Sequence, residues 1–263
     1  MHRNTVLLFA ALLLAAGSSA HAESAALSGL DRVQFSLSHL DPSDRSAPSV
    51  TFIAPSSRIE IRVGEDYANQ LGDPLHVASE PGLLVPLSLL VPVTRASGFA
   101  TLDSDPADPG NTIFSQATAS WGVGAPHPYA YAKGAISAAF VLSADTRLEI
   151  TGYGNVSIGL LADSGDAEAT AGLEVFSADA DGDPLAMLAS QFSHVKRSGY
   201  GGFSGYDQFL TIDFDNTGTQ PIYGYFDGYA LSAADSAPPR VGPIPEPANM
   251  LLLLTSLGLF VSI

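Results

Sequence analysis

The sequence predicts an all-β protein, built as a single β-sandwich or jelly-roll-like domain. Several short segments alternate between apolar and polar residues, which is the two-residue period of a half-buried strand. Turn-forming residues (Gly, Asn and Asp) separate these segments at intervals of about 10–15 residues, a spacing typical of sandwiches and jelly rolls. We find no ten-residue amphipathic helix in the body of the chain.

The strands are assigned from their alternating apolar positions. These are Ile59, Ile61 and Val63; Ile136, Ala138, Phe140 and Leu142; Leu148 and Ile150; Val156, Ile158 and Leu160; Leu173 and Val175; and Leu210, Ile212 and Phe214. The turn residues Ser143–Thr146 predict a hairpin between the second and third groups. Gly152–Asn155 is interpreted as a further turn of a meander. After a turn at Asn216–Thr219, Ile222–Ser232 is the predicted last strand.

One strongly apolar segment is interrupted by proline. Leu83–Val93 contains Pro86 and Pro92. Because proline donates no hydrogen bond to a neighbouring strand, the segment is predicted to be an edge strand or an extended loop packed on the core.

Residues 1–22 have the features of a secretory signal peptide. A basic residue precedes the apolar run Thr5–Gly17, and Ala20 and Ala22 supply the small side chains of a cleavage site before Glu23. A permanent anchor is the alternative, but spanning a membrane needs about 20 apolar residues. We therefore expect export through the Sec machinery and cleavage by signal peptidase. The exported domain is assigned to residues 23–232.

The composition narrows the function classes. The net charge is −16, which disfavours nucleic acid and anionic lipid because both require cationic surfaces. The chain has no cysteine, so disulfides, thiolate zinc sites and thiol catalysis are excluded.

The end of the chain has a distinct composition. Residues 233–244 are rich in proline and small polar residues and are predicted to form a linker. Pro245-Glu246-Pro247 follows, and then sixteen mostly apolar residues. As a helix this run is only about 24 Å long, short of the hydrocarbon thickness of about 30 Å.

This order of linker, Pro-Glu-Pro and short apolar segment at residues 245–263 resembles the PEP-CTERM sorting signal of Gram-negative bacteria. The resemblance implies that Pro245, Glu246 and Pro247 are recognised by an exosortase, while a short transmembrane helix holds the protein transiently in the inner membrane. It also implies transfer to the cell surface or extracellular matrix, in bacteria that make exopolysaccharide and biofilm. The family usually has Arg or Lys after the apolar segment, and residues 260–263 contain none.

Two stretches of the body also resemble proteins with this signal. Phe35–Phe52 is similar to a motif found early in their exported domains, and Leu210–Ala233 is similar to their usual final hairpin. The resemblance implies a β-rich exported domain and brings no catalytic residues.

An acidic turn is the candidate metal site. Asp179, Asp181 and Asp183 alternate in a turn, where three carboxylates can converge on Ca²⁺, the one cofactor candidate. The spacing is not that of an EF-hand loop, because Pro184 and Ser190 occupy the positions of its glycine and its bidentate glutamate. The alternative is a solvated turn between strands.

A row of tyrosines is the candidate binding surface. Tyr223, Tyr225 and Tyr229 share one face of the last predicted strand, where their rings can stack on sugars as a glycan platform. The alternative is that they pack under a loop or against neighbouring strands.

Signals for catalysis are weak. The histidines after residue 22 have no partner at metal-ligand spacing, and Ser204 lies in a segment that misses the last glycine of G-x-S-x-G. We therefore expect a noncatalytic surface or matrix protein associated with exopolysaccharide. A calcium-stabilised carbohydrate-binding module and a secreted hydrolase are the alternatives.

Overall fold

The computed structural model describes residues 22–41, 47–70, 72–83, 85–103, 112–121, 127–160, 165–199 and 201–237. Within these ranges the chain forms twelve strands and one 3-10 turn. The strands are β1 (Ala22–His39), β2 (Val50–Gly64), β3 (His76–Pro81), β4 (Leu87–Pro92), β5 (Ala96–Asp103), β6 (Thr112–Trp121), β7 (Tyr129–Leu142), β8 (Thr146–Leu160), β9 (Asp166–Ala178), β10 (Pro184–Ser198), β11 (Gly202–Asn216) and β12 (Ile222–Asp235). The 3-10 turn, Tyr67–Asn69, lies between β2 and β3.

The strands form two antiparallel sheets of six. Sheet A has the order β11-β8-β1-β6-β5-β4, and sheet B has the order β10-β9-β12-β7-β2-β3. Their facing sides contribute to one hydrophobic core, with Leu30, Ile113 and Ile150 from sheet A and Ile59, Phe140 and Phe226 from sheet B. The protein is therefore an all-β, β-sandwich-like structure, as the sequence predicts.

The predicted alternation matches the buried positions. Ile59, Ile61 and Val63 face the core on β2, and the predicted apolar positions of β7, β8, β9 and β11 are buried as well. The proline-interrupted segment includes β4, which is an edge strand of sheet A as predicted. The last strand continues to Asp235, three residues past the predicted end of the domain at Ser232.

Three predicted turn arrangements are wrong. The turn at Ser143–Thr146 does not form a hairpin, because β7 lies in sheet B and β8 lies in sheet A. β11 and β12 are likewise in different sheets. Gly152–Asn155 is not a turn, since β8 runs through it. A Cβ at residue 152 would meet Leu30 Cδ1 at 3.0 Å, so this glycine makes room for core packing within the strand.

Two of the connections that cross between the sheets, the β7–β8 and β11–β12 turns, are tied together by one buried side chain. Asn216 Nδ2 donates to the carbonyl oxygens of Leu142, Ser143 and Gln220 at 2.8–3.2 Å, and its Oδ1 accepts from the Gly218 amide at 3.0 Å. The Asp145 amide also donates to the Gly218 carbonyl. This bonding closes one end of the sandwich.

No helix in the described ranges has the length and apolarity needed to cross a membrane. The predicted signal peptide up to residue 21, Pro245-Glu246-Pro247 and the apolar tail lie outside those ranges. Of the predicted cleavage site, Ala22 and Glu23 are described, and they begin β1, where Glu23 pairs with Ser120 of β6.

Candidate functional site

The tyrosine row of β12 lies on the outer face of sheet B, the side that points away from the core. Tyr223, Tyr225 and Tyr229 alternate with the buried Gly224, Phe226, Gly228 and Ala230. Tyr223 is 38% exposed, and the other two are half-buried. The strand therefore presents three tyrosines on one surface, and four residues of rise, about 13 Å, separate Tyr225 from Tyr229.

A glycine on the neighbouring strand determines where the Tyr229 ring lies. Gly172 of β9 pairs with Tyr229, and a Cβ at residue 172 would lie 2.9 Å from the Tyr229 Cζ atom. The phenol end of the ring therefore rests against backbone that only glycine leaves open. Phe192 of β10 pairs with Gly172 from the other side and is 52% exposed. Phe192, Gly172 and Tyr229 form one row across three strands.

Polar contacts hold the Tyr229 ring in place. Its hydroxyl donates to Glu174 Oε1 at 3.2 Å, and Lys133 Nζ lies 4.8 Å from the ring centroid, within cation–π range. Burial, followed by the charge and hydrogen bond of Glu174, raises the pKa of the Tyr229 phenol above its usual range. The phenol therefore stays protonated near neutral pH and keeps its donor.

The second aromatic pair lies further along the same strands. Tyr225 pairs with Phe176 of β9, and their rings meet edge-to-face with centroids 6.2 Å apart. Aromatic pairs of this kind are stabilised beyond their buried area. The two pairs give this face two aromatic areas, with Glu174 and Asp227 between them.

Both lysines of the sequence contribute to this face. Lys133 Nζ lies 3.7 Å from Asp227 Oδ2, and Lys196 Nζ lies 3.0 Å from Glu168 Oε2. Burial raises the pKa of the Asp227 carboxyl despite the attraction of Lys133, because removal from water outweighs the ion pair there. The face thus combines aromatic rings with paired charges.

A groove of about 140 Å³ lies at one end of the same face. Tyr67 and Tyr131 line it together with Asp166, Lys196 and Asp235. Asp235 Oδ1 accepts from the Asp166 amide at 2.7 Å. Burial raises the pKa of the Tyr131 phenol to about 12. The groove continues the aromatic and charged character of the tyrosine row toward the turn between β2 and β3.

Sequence reasoning identified the three tyrosines of β12 but missed their neighbours. Gly172, Glu174 and Lys133 lie on β9 and β7, and only strand pairing brings them to Tyr229. The sequence offers no local signal for these neighbours, because the paired strands are far apart in the chain.

In the acidic turn between β9 and β10, the Asp179 carboxylate accepts hydrogen bonds from backbone amides of the same turn. Asp179 Oδ1 accepts from the amides of Asp181 and Asp183, each at 3.0 Å. Among the described residues, no group of three His, Cys, Asp or Glu side chains is arranged to hold a metal ion. Calcium at Asp179, Asp181 and Asp183 stays a prediction. A calcium-dependent rise in melting temperature that is lost in Asp181→Ala would support it, and no shift would count against it.

Comparisons with known proteins add little. No family model matches the chain, and no curated protein matches it. One solved structure, described as "Structural basis for the promiscuous specificity of the carbohydrate-binding modules from the beta-sandwich super family", aligns at 10% identity over 79% of this chain and 96% of that chain. Its TM-score is 0.11, so this likeness carries no argument about ligand or function.

Proposed function

We propose that the protein is a noncatalytic β-sandwich that binds neutral polysaccharide on the outer face of sheet B. The observation that carries the proposal is the row of Phe192, Gly172 and Tyr229, with the Tyr229 hydroxyl held by Glu174. Here an aromatic ring is positioned by backbone on one strand and by a carboxylate on the same strand. Because the Tyr229 ring is already held in place, less conformational entropy is lost when a ligand binds.

Sugars present two kinds of surface, and the face has a group for each. Their C–H faces stack on aromatic rings, which Tyr223, Tyr225 and Phe192 offer at partly or largely exposed positions. Their hydroxyls bond to carboxylates, and Glu174 and Asp227 lie between the rings.

The charge of the protein favours a neutral ligand. The net charge of −16 repels acidic polymers at long range. The two lysines of the face are each paired with a carboxylate, so they form no unbalanced cationic patch. Neutral polysaccharide is therefore the ligand class that fits both the negative net charge of the protein and the charge-balanced outer face of sheet B.

Binding by variants tests the proposal. Residues 23–237 are screened against neutral and acidic polysaccharides by affinity electrophoresis, with melting temperatures recorded to confirm folding. Tyr225→Ala should weaken binding to the neutral ligand roughly tenfold or more, as loss of a central aromatic contact does. Tyr153→Ala, on the outer face of sheet A, is the matched control and should bind like the parent. Equal losses in both variants, or no neutral ligand, would contradict the proposal.

The location of the protein is a separate part of the proposal. Residues 1–22 and 245–263 support export, transient inner-membrane anchoring and exosortase processing, followed by a place at the cell surface or in an exopolysaccharide matrix. The intact mass of the protein recovered from its host tests this. A chain from Glu23 to the region of Pro245–Pro247 supports processing, whereas a mass extending to Ile263 in the inner-membrane fraction contradicts it.

A further inference from the structure

The groove on the outer face of sheet B lies where the strands of that sheet end. β9 begins at Asp166, β7 begins at Tyr129 and β12 ends at Asp235. Asp235 pairs with both of the others, so the three residues form one row across the sheet, and all three line the groove. A ligand that lies along the outer face therefore reaches the groove at the point where the surface of the sheet stops.

One wall of the groove comes from the connection between β2 and β3. Tyr67 of the 3-10 turn and Gln70 line it. The Tyr67 amide donates to the His127 carbonyl at 2.7 Å, and the Tyr129 hydroxyl donates to the Gln70 carbonyl at 3.1 Å. The Tyr67 and Tyr129 rings meet edge-to-face with their centroids 5.9 Å apart. These contacts fix the turn beside the start of β7 and so hold the wall in place.

The aromatic positions of the face continue into the groove at equal steps. Four residues, a rise of about 13 Å, separate Tyr225 from Tyr229 on β12, and four more residues lead to Ala233. Ala233 pairs with Tyr131 of β7, and both residues line the groove. An extended polymer that contacts Tyr225 and Tyr229 therefore reaches the Tyr131 ring at the next step.

The groove offers hydrogen-bonding groups of both kinds. Within the described ranges, the Asp166 carboxylate makes no hydrogen bond or ion pair, and the hydroxyls of Tyr67 and Tyr131 make no hydrogen bond. Asp235 uses only Oδ1, which accepts from the Asp166 amide. Lys196 also lines the groove and carries three N–H donors. Carboxylates accept from sugar hydroxyls, whereas phenols and ammonium groups donate to sugar oxygens.

The size of the groove limits what it can hold. Its volume of about 140 Å³ lies below the range of about 300–1,000 Å³ of pockets that enclose drug-sized ligands. The groove therefore matches a single ring-sized group and not a length of polymer. Because it lies at the end of the face, the group that fits it is the last residue of a chain.

We infer that this groove binds the terminal sugar residue of a neutral polysaccharide, so that the protein recognises chain ends. The inference rests on the proposed function, because the rest of the polymer contacts the tyrosine row. A terminal residue has one more free hydroxyl than a residue within the chain, and Asp166 and Asp235 supply acceptors for it. Polar groups placed for a hydroxyl discriminate against a ligand that lacks it, because they are then left unpaired.

The amount of protein bound per polysaccharide chain tests the inference. The protein is purified from its host and titrated with narrow size fractions of dextran and pullulan, and of any further neutral polysaccharide that binds in the screen. Sedimentation velocity measures the bound protein. We expect the number of protein molecules per chain to stay constant as the chain length increases. A number that rises in proportion to chain length would overturn the inference, because it indicates binding within the chain.

Two variants made in the same host separate the groove from the tyrosine row. Asp166→Asn removes a charged acceptor and keeps the shape of the side chain, and Tyr67→Ala removes a ring of the wall. Each should weaken polysaccharide binding roughly tenfold, as loss of a central contact does. Asp213→Asn and Phe209→Ala are the matched controls at exposed positions of β11 in sheet A, and they should bind like the parent. Melting temperatures confirm that each variant is folded.

The outcomes distinguish this inference from the proposed function. Weaker binding by Tyr225→Ala, with unchanged binding by both groove variants, would overturn the inference and leave the proposed function standing. Absence of binding by the parent to every neutral polysaccharide would overturn both. Borohydride opens the sugar ring at the reducing end only. Binding that is lost on this reduction supports the inference and assigns the groove to the reducing end, whereas retained binding with constant protein per chain supports it for the other end.

Discussion

The Tyr229 ring lies against Gly172 on the adjacent strand, where a Cβ atom would come within 2.9 Å of Cζ. Because Gly172 has no side chain, the Tyr229 ring can lie against its backbone. This position sets the orientation of the aromatic ring at the centre of the proposed binding face. The hydrogen bond to Glu174 and the cation–π contact with Lys133 further fix this ring, whose position Gly172 already restricts.

Gly172→Ala should therefore reduce polysaccharide binding with little loss of stability. The added methyl displaces the far end of a partly exposed side chain, so the free energy of unfolding should change by less than about 1 kcal/mol. Binding should weaken because Tyr229 leaves its hydrogen bond with Glu174. Affinity electrophoresis and thermal melts measure the two effects. Gly218→Ala, in a turn away from the face, is the control, and an equal effect on binding there would contradict the interpretation.

Asn216→Ala should destabilise the fold strongly. It removes a buried amide that donates to three carbonyl oxygens at the crossing turns. Leaving these acceptors without their donor should cost about 2–3 kcal/mol. Urea unfolding measures the change, with Thr217→Ala at an exposed neighbouring position as the control. A loss below 0.5 kcal/mol, the usual range for a surface change, would show that the turns are held in another way.

Asp227→Asn should stabilise the protein at neutral pH. Burial raises the pKa of this carboxyl above 3.8, so the charged form costs folding free energy at pH 7. Removing the charge should raise the free energy of unfolding at pH 7, because the cost of burying the charge exceeds the attraction of Lys133. The gain should shrink as the pH falls toward 3.8, because the parent carboxyl then protonates. Melting temperatures from pH 3 to 8 measure this, with Asp213→Asn as an exposed control. Destabilisation at pH 7 would mean that the ion pair outweighs burial.

Alkaline pH should destabilise the fold through Tyr131. Its phenol has a pKa of about 12 in the folded state against 10.0 for a free phenol, so the folded state holds its proton more tightly. This stability is present below pH 10 and is lost as the pH rises from 10 to 12. The loss should reach roughly 1 kcal/mol at pH 11. Unfolding of Tyr131→Phe should show a shallower decline over this range, and an unchanged slope would contradict the assignment.

Much of the strand content could be predicted because alternation is a local property. Ile59, Ile61 and Val63 face the core because residues two apart on a strand share a side, whatever sheet the strand joins. The tyrosines of β12 share a face for the same reason. The proline-interrupted segment was placed at an edge correctly, since its missing donors exclude a central position.

The sequence by itself thus determined the all-β class, the buried side of the strands that it identified, the acidic composition and the common face of Tyr223, Tyr225 and Tyr229. Only the tertiary structure decided which strands are neighbours. It placed β7 and β8 in different sheets, ran β8 straight through Gly152–Asn155, and brought Gly172, Glu174 and Lys133 to Tyr229. Strand pairing joins residues that are far apart in the chain. The alternation of apolar residues shows which side of a strand is buried, but it does not show which strand lies next to it, because that choice depends on contacts made by all the strands together.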